Sequence, residues 1–165
     1  VRDPRDVLLS YSSHLGISAE ETFKLMEFDL SFEVTTQDED FRDVILGSWA
    51  SNYNSWKRFK SVNGLIIKYE DLKDNSFDNF KKILKFINNH VNIEINDEKI
   101  RKIITKCEFK NLQNFEKKNG FKERKGKQLF FRQGKVDEWK ELLPQNLIDK
   151  LETEFNSEMK ELGYL

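Results

Sequence analysis

The chain has 165 residues, room for one domain with a real core, and its 38% hydrophobic content with fourteen Phe and three Trp excludes a disordered chain despite 35% charged residues. A formal net charge of -1 gives no sign, at the level of the whole chain, of a polyanion partner such as nucleic acid. The single Cys107 excludes a disulfide framework and multi-cysteine metal sites, and no apolar run approaches the roughly 20 residues that span a bilayer, so the expected setting is the reducing cytoplasm, with no membrane partner and no metal.

Val1 reads as the end of a strand that leads into the first helix. Asp3 is its expected N-cap and Pro4 its first residue, Pro4, Leu8, Tyr11 and Leu15 form its apolar stripe, and Gly16 stops it. Ser18 and Glu21 form an expected capping box for a helix through Phe28. Residues 32–37 read as loop. The spacing of Phe41, Ile45, Trp49, Tyr53, Trp56 and Phe59 predicts one long amphipathic helix over roughly 39–60, with the tryptophans in its core-facing stripe. After Asn63-Gly64, the apolar run from Leu65 to Tyr69 predicts a strand buried on both faces. Helices are expected over 76–88, burying Phe80, Ile83, Leu84 and Ile87, then from the Asn96 cap with Ile100, Ile103 and Ile104 inward, then around Phe109, Leu112 and Phe115. Residues 117–135 read as a long loop, Trp139–Leu143 as a short helical turn, and Pro144 as the start of a last helix with Leu147, Leu151, Phe155, Met159 and Leu162 inward.

Two segments carry chemistry. Arg2 stands where a strand would end and a helix begins, and a helix N-terminus with a guanidinium beside it suits an anion. At 100° per residue Asp3, Asp6, Ser10 and His14 share a polar stripe, so Ser10 can face the same side as Arg2. An ordinary capped surface helix would show the same pattern. The second segment is Phe130-Phe131-Arg132-Gln133-Gly134-Lys135, followed by Trp139. Residues 117–135 hold eight Lys or Arg against Glu123 alone, and Gly134 lets backbone amides approach an anion. Aromatic rings beside cations suit a nucleotide, whereas a solvated basic loop that touches nucleic acid nonspecifically would look alike.

Together these segments resemble a known family. Arg2-Asp-Pro-Arg-Asp-x-x-x-Ser10 is similar to the 3′-phosphate motif of cytosolic-type sulfotransferases, which use 3′-phosphoadenosine 5′-phosphosulfate (PAPS). Phe130-Phe131-Arg132-x-Gly134 with Trp139 resembles that family's C-terminal arginine-glycine motif. Gly47-Ser48-Trp49 with Trp56, Tyr69-Glu70-Asp71-Leu72, and Phe109 with Leu112 match in order between them. The resemblance implies an α/β chain, the helix-rich C-terminal part of a P-loop-type three-layer sulfotransferase fold with few strands, in one domain over 1–165. It implies sulfuryl transfer from PAPS to a small-molecule hydroxyl or amine acceptor, with 3′-phosphoadenosine 5′-phosphate (PAP) as product.

Carried over by position, Arg2 and Ser10 would bind the 3′-phosphate with Arg132 and the Gly134 backbone, the three side chains converging on one anion site. Tyr69 would touch the adenine edge, Cys107 and Phe109 would lie along the base, and Phe130 and Phe131 would line the pocket. The family's phosphosulfate loop and general-base His belong before Arg2, so no catalytic residue is expected in this chain. His14 reads as a surface residue and His90 as a helix-end complement to the dipole. Gln133 stands where the family usually has Lys, Asp137-Glu138 where it has Gly-Asp, and residues 140–149 match its dimer motif poorly. The rival readings are a noncatalytic nucleotide- or nucleic-acid-binding module using residues 117–135 and a helical interaction domain.

Overall fold

Asp3 closes the start of α1 (Pro4–Leu15) with its own side chain, whose Oδ1 accepts from Arg5 N at 2.9 Å, while Gly16 ends the helix at φ 71°. The computed structural model describes residues 1–30, 32–34, 43–59, 63–122 and 129–165, and the chain divides into two units: residues 3–64 with 137–165, and residues 1–2 with 65–136.

The first of these holds the larger core. The capping box at Ser18 and Glu21 opens α2 (Ala19–Glu27) as the sequence predicts. Phe32–Val34 (β1) pairs antiparallel with Asp43–Ile45 (β2), Glu33 opposite Val44. Then come α3 (Trp49–Arg58), α8 (Trp139–Leu142), α9 (Gln145–Glu154) and α10 (Asn156–Leu162). Leu8, Phe23, Met26, Leu147, Ile148, Leu151, Phe155 and Met159 are buried together, so the expected inward stripe of the C-terminal helices is present, with Leu162 half-buried. Trp49 reaches this core, its ring 5.3 Å from that of Phe155.

The other unit carries α4 (Tyr69–Asp74), α5 (Ser76–Asn88), α6 (Asp97–Lys106) and α7 (Phe109–Asn119). Asn75 and Asn96 cap α5 and α6 through their side-chain oxygens. Among its described residues only Ile100 and Glu116 are buried; Phe80, Ile83 and Leu84 are half-buried, and Ile87, Ile103 and Phe115 are exposed. Those last three correct the expected apolar stripes.

Further expectations are corrected. Residues 32–34, read as loop, form β1; residues 35–37 lie outside the described residues. Of the long helix expected over 39–60, residues 39–42 and 60 lie outside the described residues, and the rest is a strand over 43–45 and a shorter helix over 49–58. Val44-Ile45 is β-branched, and Gly47 at φ 68° with Ser48, whose Oγ caps Ser51 N, starts a new helix at Trp49. Trp56 is 72% exposed, outside the core. Residues 63–68 belong to no helix or sheet among the described residues, and Lys68 is extended. Among the described residues their ladder partner is Val1, whose N donates to Ile67 O and whose O accepts from Tyr69 N, both at 2.8 Å, as in a parallel bridge. Ile66 is 42% exposed, so the segment is not covered on both faces. The last helix breaks at Phe155 into α9 and α10, and α7 runs into the segment read as loop from 117. No helix among the described residues is long and apolar enough to cross a membrane.

Candidate functional site

The site is assembled from three stretches of one unit: Arg2, the start of α4, and residues 129–135 lying along α7. The run that ends at Lys68 delivers Tyr69 to the first position of α4, and the bridge to Val1 sets Arg2 beside it. The Arg2 guanidinium lies 4.6 Å from the centroid of the Tyr69 ring, and Nη2 donates to Lys135 O at 2.8 Å. Tyr69 Oη makes a long contact of 3.5 Å with Gly134 O.

Gly134 adopts φ 61°, the left-handed region, and a Cβ there would overlap the Phe109 ring. Backbone conformation therefore favours glycine and close approach requires it. Phe109 opens α7 and meets Phe131 edge-on with centroids 6.3 Å apart. Phe131 continues into a cluster with Phe130 and Phe121, the Phe121 ring lying 4.6 Å from that of Phe130 and 5.3 Å from that of Phe131.

The structure thus brings Arg2, Tyr69, Phe109 and Gly134 together, with Phe131 against Phe109 and Arg132 two positions before Gly134. Phe130 is 42% exposed at the edge of the aromatic cluster. Cys107 is exposed at the C-cap of α6. Ser10 belongs to the other unit, exposed on α1.

The polar stripe expected on α1 is corrected in part. Asp3 and Asp6 are 4% and 2% exposed and have internal partners. Asp3 holds Arg5 Nη2 at 2.6 Å as well as capping the helix, so a carboxylate of the chain already occupies that N-terminus. His14 stacks on Tyr11 at 6.5 Å, and His90 stands edge-on to Phe86 at 5.6 Å.

Two residues of the site escaped the sequence reading. Gln113 Nε2 donates to Phe131 O at 2.9 Å and to Arg132 O at 3.2 Å. Glu116 accepts from Phe130 N at 2.7 Å and from Phe131 N at 2.9 Å. They follow Phe109 at i+4 and i+7 on α7, so two polar residues in line with an apolar one were the available signal.

Electrostatics differ sharply between the units. Residues 1–2 and 65–136 hold nineteen Lys or Arg against ten Asp or Glu, whereas residues 3–64 and 137–165 hold nine against nineteen. The near-zero charge of the whole chain thus conceals a strongly cationic unit, the one that holds Arg2, Tyr69 and Gly134.

Comparisons with known proteins show the family and the fold. A family model described as the sulfotransferase domain matches residues 1–163, across both units. Cytosolic sulfotransferase 16 of Arabidopsis thaliana is 23% identical over 175 residues, covering 99% of this chain and 50% of its own. Flavonol 4'-sulfotransferase of Flaveria chlorifolia is 28% identical over 174 residues, covering 98% and 52%. A mouse sulfotransferase complexed with PAP shares the fold with a TM-score of 0.67 at 23% identity, over 96% of this chain and 57% of that one. The chain spans about half the length of the curated relatives it matches. With its motifs in order and the family model covering nearly every residue, the chain belongs to the sulfotransferase domain family.

Proposed function

We propose that this chain supplies the adenine and 3′-phosphate side of a PAPS site, and that the protein it represents transfers the sulfuryl group of PAPS to a hydroxyl or amine of a small acceptor. The observation that carries the reading is Arg2 stacked on Tyr69 and bonded to Lys135 O, next to the glycine that touches Phe109. Residues from the two ends of the motif series meet there. Arg2 and Arg132 are the guanidinium partners for phosphate, since a planar fork matches its oxygens. Tyr69, Phe109, Phe130 and Phe131, with Cys107 nearby in sequence, offer the faces and edge for the base. Ser10 is included on the motif alone. The PAP complex of the mouse relative and the flavonol and amine acceptors named for other relatives support the donor and the acceptor class. Cytosolic relatives support a cytoplasmic setting, and the parent architecture we propose is the three-layer P-loop type.

In the transfer, the acceptor oxygen or nitrogen forms a bond to sulfur while the bond from sulfur to the 5′-phosphate oxygen breaks. PAP departs with that electron pair, and the acceptor's proton passes to a base. Holding the 3′-phosphate and adenine fixes the reacting end of the donor, so remote binding energy is spent on alignment. His14 stacks on Tyr11 and His90 stands edge-on to Phe86, and the activity proposed for the chain by itself is nucleotide binding without turnover.

Incubating the chain with sulfur-labelled PAPS and a panel of phenols, flavonols and amines, alongside a PAP titration competed with single-stranded RNA, tests the reading. PAP binding that RNA does not displace, without steady transfer, is the expected result. Binding to RNA but not to PAP would replace it with the nucleic-acid module.

A further inference from the structure

Residues 130–135 have no regular secondary structure, yet their backbone is pinned at both ends. At the far end Lys135 O takes the Arg2 guanidinium and Gly134 presses on the Phe109 ring. At the near end both carboxylate oxygens of Glu116 are used, Oε1 by Phe130 N and Oε2 by Phe131 N. Gln113 ties the Phe131 and Arg132 carbonyls, and Arg132 N closes a tight turn onto Phe130 O at 3.0 Å. Arg132 lies between the two anchors.

Glu116 is 2% exposed and, with Ile100, is one of only two buried residues described in its unit. A carboxylate is costly to bury unless its oxygens are bonded, and two backbone N–H groups at 2.7 and 2.9 Å meet that need. An apolar residue at 116 would pack without that cost but leave the Phe130 and Phe131 N–H groups unpaired. A glutamine would meet one N–H with its oxygen and oppose the other with its own amide hydrogens. Glu116 is thus matched to these two donors and sets the path of the backbone that carries Arg132.

We infer that Glu116 is a positioning residue for the nucleotide site: by clamping the N–H groups of Phe130 and Phe131 it holds Arg132 where the 3′-phosphate is recognised. This rests on the nucleotide reading above. A purely structural Glu116 would affect stability alone. A positioning Glu116 sets the discrimination between PAP and adenosine 5′-phosphate, which lacks the 3′-phosphate.

The test is calorimetric titration of the 165-residue chain with both nucleotides, for the unaltered chain, Glu116→Gln, Arg132→Ala and the double variant. Glu116→Gln is expected to weaken PAP about 10-fold, the worth of one charged hydrogen bond, and to leave adenosine 5′-phosphate within about twofold. In the Arg132→Ala background the same change should add nothing to the loss for PAP. Equal PAP affinity in the unaltered chain and Glu116→Gln overturns the assignment while the nucleotide reading stands. Failure of the unaltered chain to bind PAP overturns both. If Glu116→Gln does not fold, Gln113→Ala takes its place, since it frees the Phe131 and Arg132 carbonyls. A loss confined to PAP then supports the clamp, and equal losses for both nucleotides contradict it.

Discussion

Asp6 holds the backbone of Trp139 across the length of the chain: Oδ1 accepts from Trp139 N at 3.1 Å, and Oδ2 accepts from Asp137 N at 2.9 Å. The Trp139 ring in turn lies 3.7 Å from the Arg5 guanidinium, which Asp3 holds at 2.6 Å and Glu152 at 2.5 Å. The motif around Arg2 and Ser10 therefore has a second use, since its carboxylates and its second arginine fasten α1 to the C-terminal helices. Asp137 adopts φ 63° where the family usually has glycine, so the left-handed turn is retained without the residue that favours it. Replacing Asp6 by Ala strands two N–H groups and should cost about 2–4 kcal/mol in denaturant unfolding. Asp6→Asn, which keeps one acceptor, should cost less.

Gly134→Ala forces a side chain into the left-handed region and into the Phe109 ring. It should destabilise by about 2–4 kcal/mol, combining backbone strain with overpacking. Adding Phe109→Leu should relieve the steric part and leave the backbone part, so thermal melts of the double variant should recover only partly. Full recovery would show that the backbone at residue 134 is not strained by a side chain.

Acid should weaken the link between α3 and α10. The Glu161 carboxyl takes Lys57 Nζ at 2.6 Å and Tyr53 Oη at 3.1 Å, and the Lys57 hydrogen bond chiefly holds it below the ordinary value of 4.5. Hydrogen bonds from Ser18 lower Glu21 in the same way, and Lys99 lowers Glu94. A depressed carboxyl contributes stability that is present above 4.5 and lost as pH falls through the folded value. Lys57, raised above 10.5 chiefly by its bond to Glu161, contributes stability that is full below 10.5 and lost as pH rises through its folded value. Thermal midpoints of the parent and Glu161→Gln should therefore differ on the plateau between these limits and converge in acid.

The excess of cations in the unit around Arg2 should steer an anionic nucleotide to the site. The association rate for PAP should fall roughly 10-fold between about 0.02 M and about 0.5 M salt, as screening shortens the reach of those charges. Replacing the exposed Lys106, Lys110 and Lys118 by Glu should slow association more than it speeds dissociation. A salt-independent association rate would show that the charge imbalance is inert.

The parts of this fold that were legible in the sequence are those decided locally. Asp3-Pro4, Ser18 with Glu21, Asn96, and the stripe from Leu147 to Met159 each carry a cap or period that tertiary contacts leave unchanged. Residues 39–60 misled because Phe41, Ile45 and Trp49 keep a helical spacing, whereas Gly47 and the Ser48 cap divide the segment. Leu65–Ile67 has the composition of a central strand, yet among the described residues it is bonded to Val1 and belongs to no sheet, a matter of pairing that composition does not carry. At the site, Arg2, Tyr69 and Gly134 were visible because motif and chemistry coincide. Glu116 was not, because a Glu between Phe115 and Lys117 looks like an exposed helix residue until the loop it clamps is in place.

The central claim is that this chain recognises a 3′-phosphate on adenosine, and the most direct measurement is the ratio of dissociation constants for adenosine 5′-phosphate and PAP. Two guanidinium partners predict a ratio on the order of 100 in favour of PAP, falling toward unity when Arg2 and Arg132 are both replaced by Ala. A ratio near one in the unaltered chain, or one unchanged in the double variant, would contradict the account.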